Sequence, residues 1–415
     1  MTTDQYTPAR ITARRALSPA LVLTGLLLVA GNLRAGITTV GPVLDELQHR
    51  LGLSSPAASA LISLPLLAFA VVSPFVPGLT RRLGLEASMA AALGLLAIGL
   101  VVRSLPGPGL LWVGTAALGV AIAVLNVSLP ALVKRDFPER IGQVTGSYSA
   151  VQSIFAAVAA GVAVPVATLT SAGWRLPMAM WAGLALVALG VLAPQLRRHT
   201  VVAPAEDDLS LDELSHAHEH APATGPSPWR TAIGWQVTVF MGLQSVGFYV
   251  FITWLPSIEA SAGVSAGIAG IHQLLLNAFG IAGSIICSTL IPRFRDQRLL
   301  AVGAPLVFAL ATLGVLIAPQ HSEIWASLIG LAGGASIVLA LSFFGLRTRH
   351  HSQAASLSGM AQSVGYLLAA AGPIAAGGLH DVTGSWRPAL VALLITLVVL
   401  AGFGYLAGRR RFIGA

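Results

Sequence analysis

Twelve apolar runs, each long enough to cross a bilayer as a helix, follow one another along the 415-residue chain. A hydrocarbon core about 30 Å thick needs roughly 20 helical residues. Runs of about this length lie near residues 17–45, 57–79, 86–104, 109–132, 141–170, 174–194, 231–257, 266–291, 299–318, 322–346, 353–379 and 386–408. The chain is therefore predicted to be an all-α polytopic membrane protein with twelve transmembrane helices.

Charge and composition agree with this class. Only 10% of the residues are charged and the mean hydropathy is +0.80, whereas soluble proteins carry about 25% charged residues. The net charge of +8 does not indicate nucleic-acid binding, because the basic residues sit in short gaps between apolar runs rather than on a polar domain. We expect a monomer in the lipid bilayer, with no cofactor and no bound metal.

The basic residues predict the orientation in the membrane. With the N-terminus placed inside, 19 of the 24 lysines and arginines fall on the inner side. These are Arg10, Arg14, Arg15, Arg81, Arg82, Lys134, Arg135, Arg140, Arg197, Arg198, Arg230, Arg293, Arg295, Arg298, Arg347, Arg349, Arg409, Arg410 and Arg411. The positive-inside rule then puts both termini in the cytoplasm. We expect a multi-pass protein of a bacterial inner membrane.

The longest gap separates the sixth run from the seventh. Residues 195–230 are rich in acids and prolines without a sustained apolar period, which favours a flexible cytoplasmic linker. His216, His218 and His220 alternate in this gap and are interpreted as part of a solvated polar tract, with metal binding as the alternative. The predicted units are a six-helix bundle at 1–194, the linker at 195–230 and a second bundle at 231–415.

The two predicted bundles share residues at a nearly constant offset. The matched pairs, at offsets of 212 to 214 residues, are Trp174 and Trp386, Arg175 and Arg387, Arg135 and Arg347, Gly146 and Gly359, and Pro42 and Pro256. Such constancy indicates an ancient duplication. Two parallel six-helix repeats are the architecture of one large transporter class, which holds its substrate between the halves near the membrane midplane.

Four segments carry a resemblance to a known family. They are "GNLRAGITTVGPVL" (31–44), "NVSLPALVKRDFPERIGQVTGSYSA" (126–150), "WQVTVFMGLQSVGFYVFITWLPS" (235–257) and "LSGMAQSVGYLLAAAGPIAAGGLHDVTGSW" (357–386). The chain resembles a major facilitator superfamily transporter and, more narrowly, the bacterial cyanate/nitroimidazole transporter family. The resemblance implies two pseudo-symmetric six-helix bundles that move a small molecule by alternating access.

One segment departs from the superfamily's usual pattern. The loop between the second and third helices of that superfamily usually carries a Gly-rich motif with an acid followed by a basic residue. Here the stretch is "PGLTRRLGLE" (77–86), and Arg81 stands where the acid is expected. The usual cytoplasmic charge latch is therefore expected to be altered.

Arg34 lies deep in the first apolar run, about 5–6 Å past its midpoint at 1.5 Å per residue. A charge at such a depth should face a water-filled cavity or a counter-charge. No Asp or Glu falls in the middle of any predicted run. A guanidinium presents a planar fork that fits a carboxylate, so Arg34 is predicted to bind an anionic substrate. The alternative is a structural arginine that bonds backbone carbonyls or reaches Asp45.

Further polar residues inside the runs complete the predicted site. They are Asn32, Asn126, Tyr148, Gln152, Gln244, Tyr249, His272, Asn277, Gln362 and Tyr366. Several lie one helical turn apart and share a face, such as Tyr148 with Gln152 and Gln362 with Tyr366. For each of them a helix–helix hydrogen bond is the competing interpretation. If transport is coupled to protons, His272 or the substrate's own ionisation is the expected carrier.

These features predict a secondary active transporter for a small polar or anionic organic solute. An exporter of drugs or toxic compounds with the same fold is the alternative, although exporters of cationic drugs usually place an acid in a span. An enzyme is not expected, because the chain has no Gly-x-Ser-x-Gly motif, no metal triad and no pair of acids within the spans.

The orientation is testable with reporter fusions. Reporters fused at Ala221 and at the C-terminus are both expected to read cytoplasmic, because 19 of the 24 basic residues lie on that side. A periplasmic reading at either position would contradict the arrangement of six helices on each side of the linker.

Overall fold

The computed structural model describes residues 19–53, 55–107, 109–197 and 226–414 of the chain. Within these ranges twelve helices have 12 or more residues, and we label them in chain order. They are α1 (Pro19–Thr38), α2 (Ser55–Val72), α3 (Leu85–Val102), α4 (Leu110–Asp136), α5 (Ile141–Thr168), α6 (Trp181–Leu192), α7 (Ala232–Ser261), α8 (Ala266–Leu290), α9 (Arg298–Ile317), α10 (Ser322–Leu346), α11 (His351–Thr383) and α12 (Arg387–Ala407). The described ranges contain no strand, and the predicted all-α membrane class is confirmed.

Eleven of the described helical segments are long and apolar enough to cross a membrane. The helix that does not meet this criterion is α11, although its 33 residues make it the longest in the described chain. Its first half carries buried polar side chains, among them Gln353, Ser358 and Gln362. These polar groups lower the mean hydropathy of the helix, and they are tolerated because they face protein rather than lipid. The number of twelve membrane spans therefore stays a prediction.

The helices of the second half pair in the same way as those of the first. In the first half α1 packs on α5, α2 on α4 and α3 on α6. In the second half α7 packs on α11, α8 on α10 and α9 on α12. Two large hydrophobic clusters accompany these pairings. One is built from residues 26–192 with Ala355, and the other from residues 233–413.

Matched residues take matched positions at the helix ends. Trp174 precedes the short helix Arg175–Ala179, and Trp386 precedes α12. Each tryptophan follows a glycine with positive φ, Gly173 at 56° and Gly384 at 68°. Gly tolerates this left-handed conformation without steric cost, so it can end the preceding segment sharply.

The matched arginines Arg135 and Arg347 both end a helix but bind different groups. Arg135 lies in the last turn of α4 and contacts Glu86 at 2.6 Å and Asp136 at 2.8 Å. Arg347 follows α10 and donates to the carbonyl oxygens of Ala407 at 2.7 Å and Gly408 at 2.9 Å. Arg81, which stands in place of the expected acid, is exposed. An ion pair thus exists near this loop, but its carboxylate is Glu86.

Close packing of α8 on α10 depends on glycine. A methyl group added at Gly283 would overlap the carbonyl oxygen of Leu331, and one added at Gly330 would overlap that of Leu276. Small residues let membrane helices approach closely, because lipid provides no hydrophobic force that drives one helix against another. The linker residues 198–225, including His216, His218 and His220, lie outside the described residues.

Replacing one of these glycines should weaken the fold. Gly283→Ala is expected to lower the thermal midpoint of the purified protein, because the clash is with backbone and overpacking costs about 1–3 kcal/mol. Gly270→Ala, in the same helix but with nothing within 4 Å of the added methyl group, is the matched control and should leave the midpoint equal or higher. Equal midpoints for the two variants would contradict the packing argument.

Candidate functional site

A cavity of about 1030 Å³ lies between the first six and the last six helices. Its wall includes the C-terminal part of α1 from Arg34 onward and the N-terminal part of α2 as far as Pro65. We call the end of the bundle where α1 ends and α2 begins the open end. The opposite end, where α4 ends and α5 begins, is the closed end. Most of the wall is apolar, so the few polar side chains on it decide what the cavity can bind.

The closed end is sealed by direct packing between the halves. Gly359 of α11 lies against the Ser73 carbonyl oxygen, where a methyl group would approach to 2.7 Å. Gly146 of α5 packs on Ser288, and a methyl group there would overlap that serine. Two hydrogen bonds add to this contact, from Ser363 Oγ to the Ala70 carbonyl at 2.6 Å and from Gln362 Nε2 to the Asn126 carbonyl at 3.0 Å.

Arg34 is half-buried on the cavity wall. Among the described side chains its guanidinium has no hydrogen-bond or ion-pair partner. No Asp or Glu is found among the described residues that line the cavity. The alternative in which Arg34 reaches Asp45 concerns a side chain outside the described part of the structure. The guanidinium is thus a positive charge without a described counter-charge, placed beside a cavity.

The second half faces Arg34 with neutral polar groups. Tyr366 of α11 is close enough to Arg34 and to Tyr249 of α7 for the three groups to interact electrostatically. The Tyr366 ring also packs on Phe69 of α2, with centroids 5.1 Å apart. Asn277 is exposed to the cavity and donates to the Gln273 carbonyl at 2.8 Å.

Gln244 and Gln273 supply amide groups on the same wall. Gln244 Nε2 donates to Ser245 Oγ at 2.7 Å. Gln273 Nε2 donates to the Ile252 carbonyl at 3.3 Å. Gln273 Oε1 has no hydrogen-bond partner in the described chain. The wall therefore combines a cation with amides and two phenol rings.

The structure brings together five of the eleven predicted site residues, namely Arg34, Gln244, Tyr249, Asn277 and Tyr366. The other six do not line the cavity. Asn32 donates to the Leu28 and Leu184 carbonyls, which ties α1 to α6. Gln362 and the backbone of Asn126 form the bond at the closed end described above. Tyr148 and Gln152 are buried in α5 and do not line the cavity.

His272, the sixth of these residues, lies at the open end and contacts a carboxylate. Its Nδ1 is 2.9 Å from Glu259 Oε1, and its Nε2 is 4.0 Å from Glu323 Oε2. The seventh run was expected to end at residue 257, whereas α7 continues to Ser261 and includes Glu259. Glu259 lies beyond the predicted run, whereas the structure includes it, fully buried, in the last turn of α7. Its pairing with His272 makes that burial tolerable.

The sequence interpretation missed residues that act between helices. Ser363 bonds across the closed end, and Ser284 of α8 donates to the Gly334 carbonyl at 3.1 Å. A serine in an apolar run carries little signal, because its hydroxyl is often satisfied by its own helix. Arg103 lies at the end of the third predicted run, 86–104, and the structure buries it on the cavity wall. A charge at a helix end gives no sign of whether it faces water or protein.

Comparison with known proteins gives consistent matches over most of the chain. Residues 26–373 match the family model described as Major Facilitator Superfamily. The chain is 40% identical over 394 residues to the "Uncharacterized transporter YycB" of Bacillus subtilis (strain 168), covering 94% of each protein. It is 39% identical over 389 residues to the "2-nitroimidazole transporter" of Escherichia coli (strain K12), covering 94% of this chain and 95% of the relative.

Two further matches are more distant. The chain is 28% identical over 375 residues to the "Cyanate transport protein CynX" of Escherichia coli (strain K12), covering 88% of this chain and 91% of the relative. The solved structure of the proton:xylose symporter XylE has a TM-score of 0.74 at 14% identity, covering 95% of this chain and 98% of that chain. The resemblance drawn from the four sequence segments is thereby confirmed.

Proposed function

The chain belongs to the Major Facilitator Superfamily, and we propose that it is a secondary active transporter of a small polar or anionic organic solute. The observation that carries this proposal is Arg34, a guanidinium on the cavity wall with no described counter-charge. An anion entering the cavity would supply that charge. In a wall of low polarity such a charge-assisted bond is stronger than in water.

The names of the relatives support this substrate class. They include a 2-nitroimidazole transporter, a cyanate transport protein and, over 106 residues at 51% identity, a putative anionic 4-hydroxy-benzoate permease of Thauera aromatica. Nitro, cyanate and carboxylate groups all present electron-rich oxygen or nitrogen atoms. One guanidinium, with amides such as Gln244 and Asn277 and phenols such as Tyr249 and Tyr366, suits all three.

We further propose alternating access between two units, residues 1–194 and 231–415, joined by the linker 195–230. The helix pairing is repeated in the two halves, and each of the two hydrophobic clusters is built almost entirely from one half. Both observations support this division. With both termini in the cytoplasm, the open end faces outward across the inner membrane. Transport would then require the closed end to separate and the open end to close, so the bonds of Gln362 and Ser363 would break in each cycle.

An exporter of drugs or toxic compounds is the second candidate, since the cavity wall is largely apolar. The described lining offers no carboxylate for a cationic drug. This favours uncharged or anionic compounds in either direction of transport. Separate binding assays with a cationic dye and with an organic anion distinguish the two functions, because the anion transporter should bind only the organic anion.

Proton coupling, if present, is proposed to use the Glu259–His272 pair. The buried carboxylate, the imidazole and the half-exposed Glu323 form a chain from the interior to the surface. His272 is followed in α8 by Gln273, which lines the cavity. A proton on this pair would therefore alter charge one residue away from the substrate cavity.

Arg34 substitutions test the binding role. Arg34→Lys keeps the charge without the fork, so affinity for 4-hydroxybenzoate or cyanate should fall while some transport survives. Arg34→Gln should lose far more, since a charge-assisted hydrogen bond is roughly twice as strong as a neutral one. Calorimetric affinity and the thermal midpoint of the unliganded protein are measured together. The exposed Arg50→Gln is the control.

The thermal midpoint separates a ligand arginine from a structural one. Removing a ligand arginine should leave the unliganded midpoint equal or higher, because the unpaired charge is costly in the empty protein. Unchanged affinity of Arg34→Gln, together with a large fall in its midpoint, would refute the binding role.

Uptake into proteoliposomes under a pH gradient tests the proton role. Glu259→Gln and His272→Gln should each abolish the acceleration of uptake by the gradient, because the pair can no longer take up and release a proton. His350→Gln, an exposed histidine at the closed end, is the control. Full retention of both uptake and its pH dependence in the two variants would show that the pair is not the carrier.

A further inference from the structure

Arg103 is a second guanidinium on the cavity wall, and it is fully buried. It directly follows α3, and its backbone N–H donates to the Gly99 carbonyl at 3.0 Å. Gly114 of α4 packs against the Arg103 backbone, where a methyl group would clash. The backbone of Arg103 is therefore held between α3 and α4, and its position does not depend on what the guanidinium binds.

The side chain of Arg103 satisfies only part of its hydrogen-bonding capacity. Nη2 donates to the Met178 carbonyl at 3.1 Å. Nε and Nη1 have no hydrogen-bond partner in the described part of the chain. A guanidinium carries five N–H donors and remains charged at every physiological pH. Leaving such donors unpaired inside protein is costly, more so than for a neutral group.

The surroundings of Arg103 on the cavity wall differ from those of Arg34. Residues lining the wall from α2 and α4 include Leu61, Pro65 and Leu118, which are apolar. The nearby hydroxyl of Thr115 donates to the Leu111 carbonyl at 2.7 Å. The described residues that line the cavity include no Asp or Glu. Both nitrogens are closed to water in this structure, so an anion from the cavity would pair with them once the guanidinium turns toward the cavity.

Arg103 and Arg34 reach the cavity from different sides of α1. Arg103 Nη2 would lie 3.8 Å from a methyl group placed at Gly36. Gly36 follows Arg34 by two residues, which is about 200° around a helix of 3.6 residues per turn. Arg103 thus approaches the face of α1 that carries Gly36, whereas the side chain of Arg34 leaves the helix from a different face. One small ligand would not be expected to contact both guanidiniums.

We propose that Arg103 forms a second, separate anion subsite that takes a compact monovalent anion of the size of chloride or formate. The two unpaired donor nitrogens provide its hydrogen bonds. A compact anion needs few hydrogen bonds besides these, which suits a wall that is mostly apolar. Because two negative charges in one cavity repel, occupation of this subsite should weaken binding of an anion at Arg34, and the reverse.

The first test is the thermal midpoint of the purified protein titrated with sodium formate or sodium chloride. Ionic strength is held constant with sodium gluconate, whose anion is too large for the subsite. Formate is expected to raise the midpoint saturably in the wild type and in Arg34→Gln. In Arg103→Gln the half-saturating concentration should rise at least roughly tenfold, as expected for loss of charge-assisted hydrogen bonds.

Two further variants control for effects of fold and of charge. Arg103→Met keeps an apolar side chain of substantial length at the position, and its unliganded midpoint should equal or exceed that of the wild type. Arg387→Gln removes an exposed arginine at the open end and should leave the formate response unchanged.

Three results would overturn the inference. The first is a formate response that is absent from the wild type. The second is a response lost in Arg34→Gln but kept in Arg103→Gln, which would leave the proposed function intact while assigning the anion to Arg34. The third is a large fall in the unliganded midpoint of both Arg103→Gln and Arg103→Met, which would assign Arg103 a structural role.

Discussion

Lipid can neither accept nor donate hydrogen bonds, and this constraint determines the rest of the molecule. Every backbone polar group in the hydrocarbon region has to be satisfied inside the protein, which the long helices achieve. Lipid tails are as apolar as leucine, so burying leucine drives no association between helices. Helices associate instead through close van der Waals contact at glycines, as where Gly283 meets Leu331 and Gly330 meets Leu276. Buried hydrogen bonds from side chains to carbonyl oxygens, such as Asn32 to Leu184, help to fix how one helix is oriented on the next.

The same constraint makes charge in the interior informative. Glu259 and His272 are both buried and face each other at 2.9 Å, so the cost of one is offset by the other. Arg34 and Arg103 line the cavity without described carboxylate partners. In the proposed function, the fold holds these guanidiniums in place and so provides a preformed attraction for anions. That attraction is strong because the surrounding wall is mostly apolar and screens charge poorly.

The contact at the closed end has the properties expected of a joint that opens. It relies on small residues, Gly146 and Gly359, and on the side-chain bonds of Gln362 and Ser363 to backbone carbonyls. Each such hydrogen bond contributes only about 0.5–1.5 kcal/mol net. Side chains such as Ile291 on Gly142 and Ile141 on Gly345 pack across the same end, so the seal combines apolar packing with a few weak hydrogen bonds. In the proposed alternating access, substrate bound in the cavity would shift the balance between states by as much as its affinities for the two states differ.

The sequence by itself determined the helical membrane class, the helix ends marked by Trp174 and Trp386, and the place of Arg34 within the first apolar run. Hydropathy and the spacing between matched residues can both be read from the order of residues along the chain. Only the tertiary structure decided which polar residues share a cavity. Tyr148 and Gln152 are buried in α5 without lining the cavity, and Gln362 bonds across the closed end. The structure also buried Arg103 and placed Glu259 inside α7. The physical reason is that the rotation and tilt of each helix are set by packing against its neighbours, which a one-dimensional pattern does not contain.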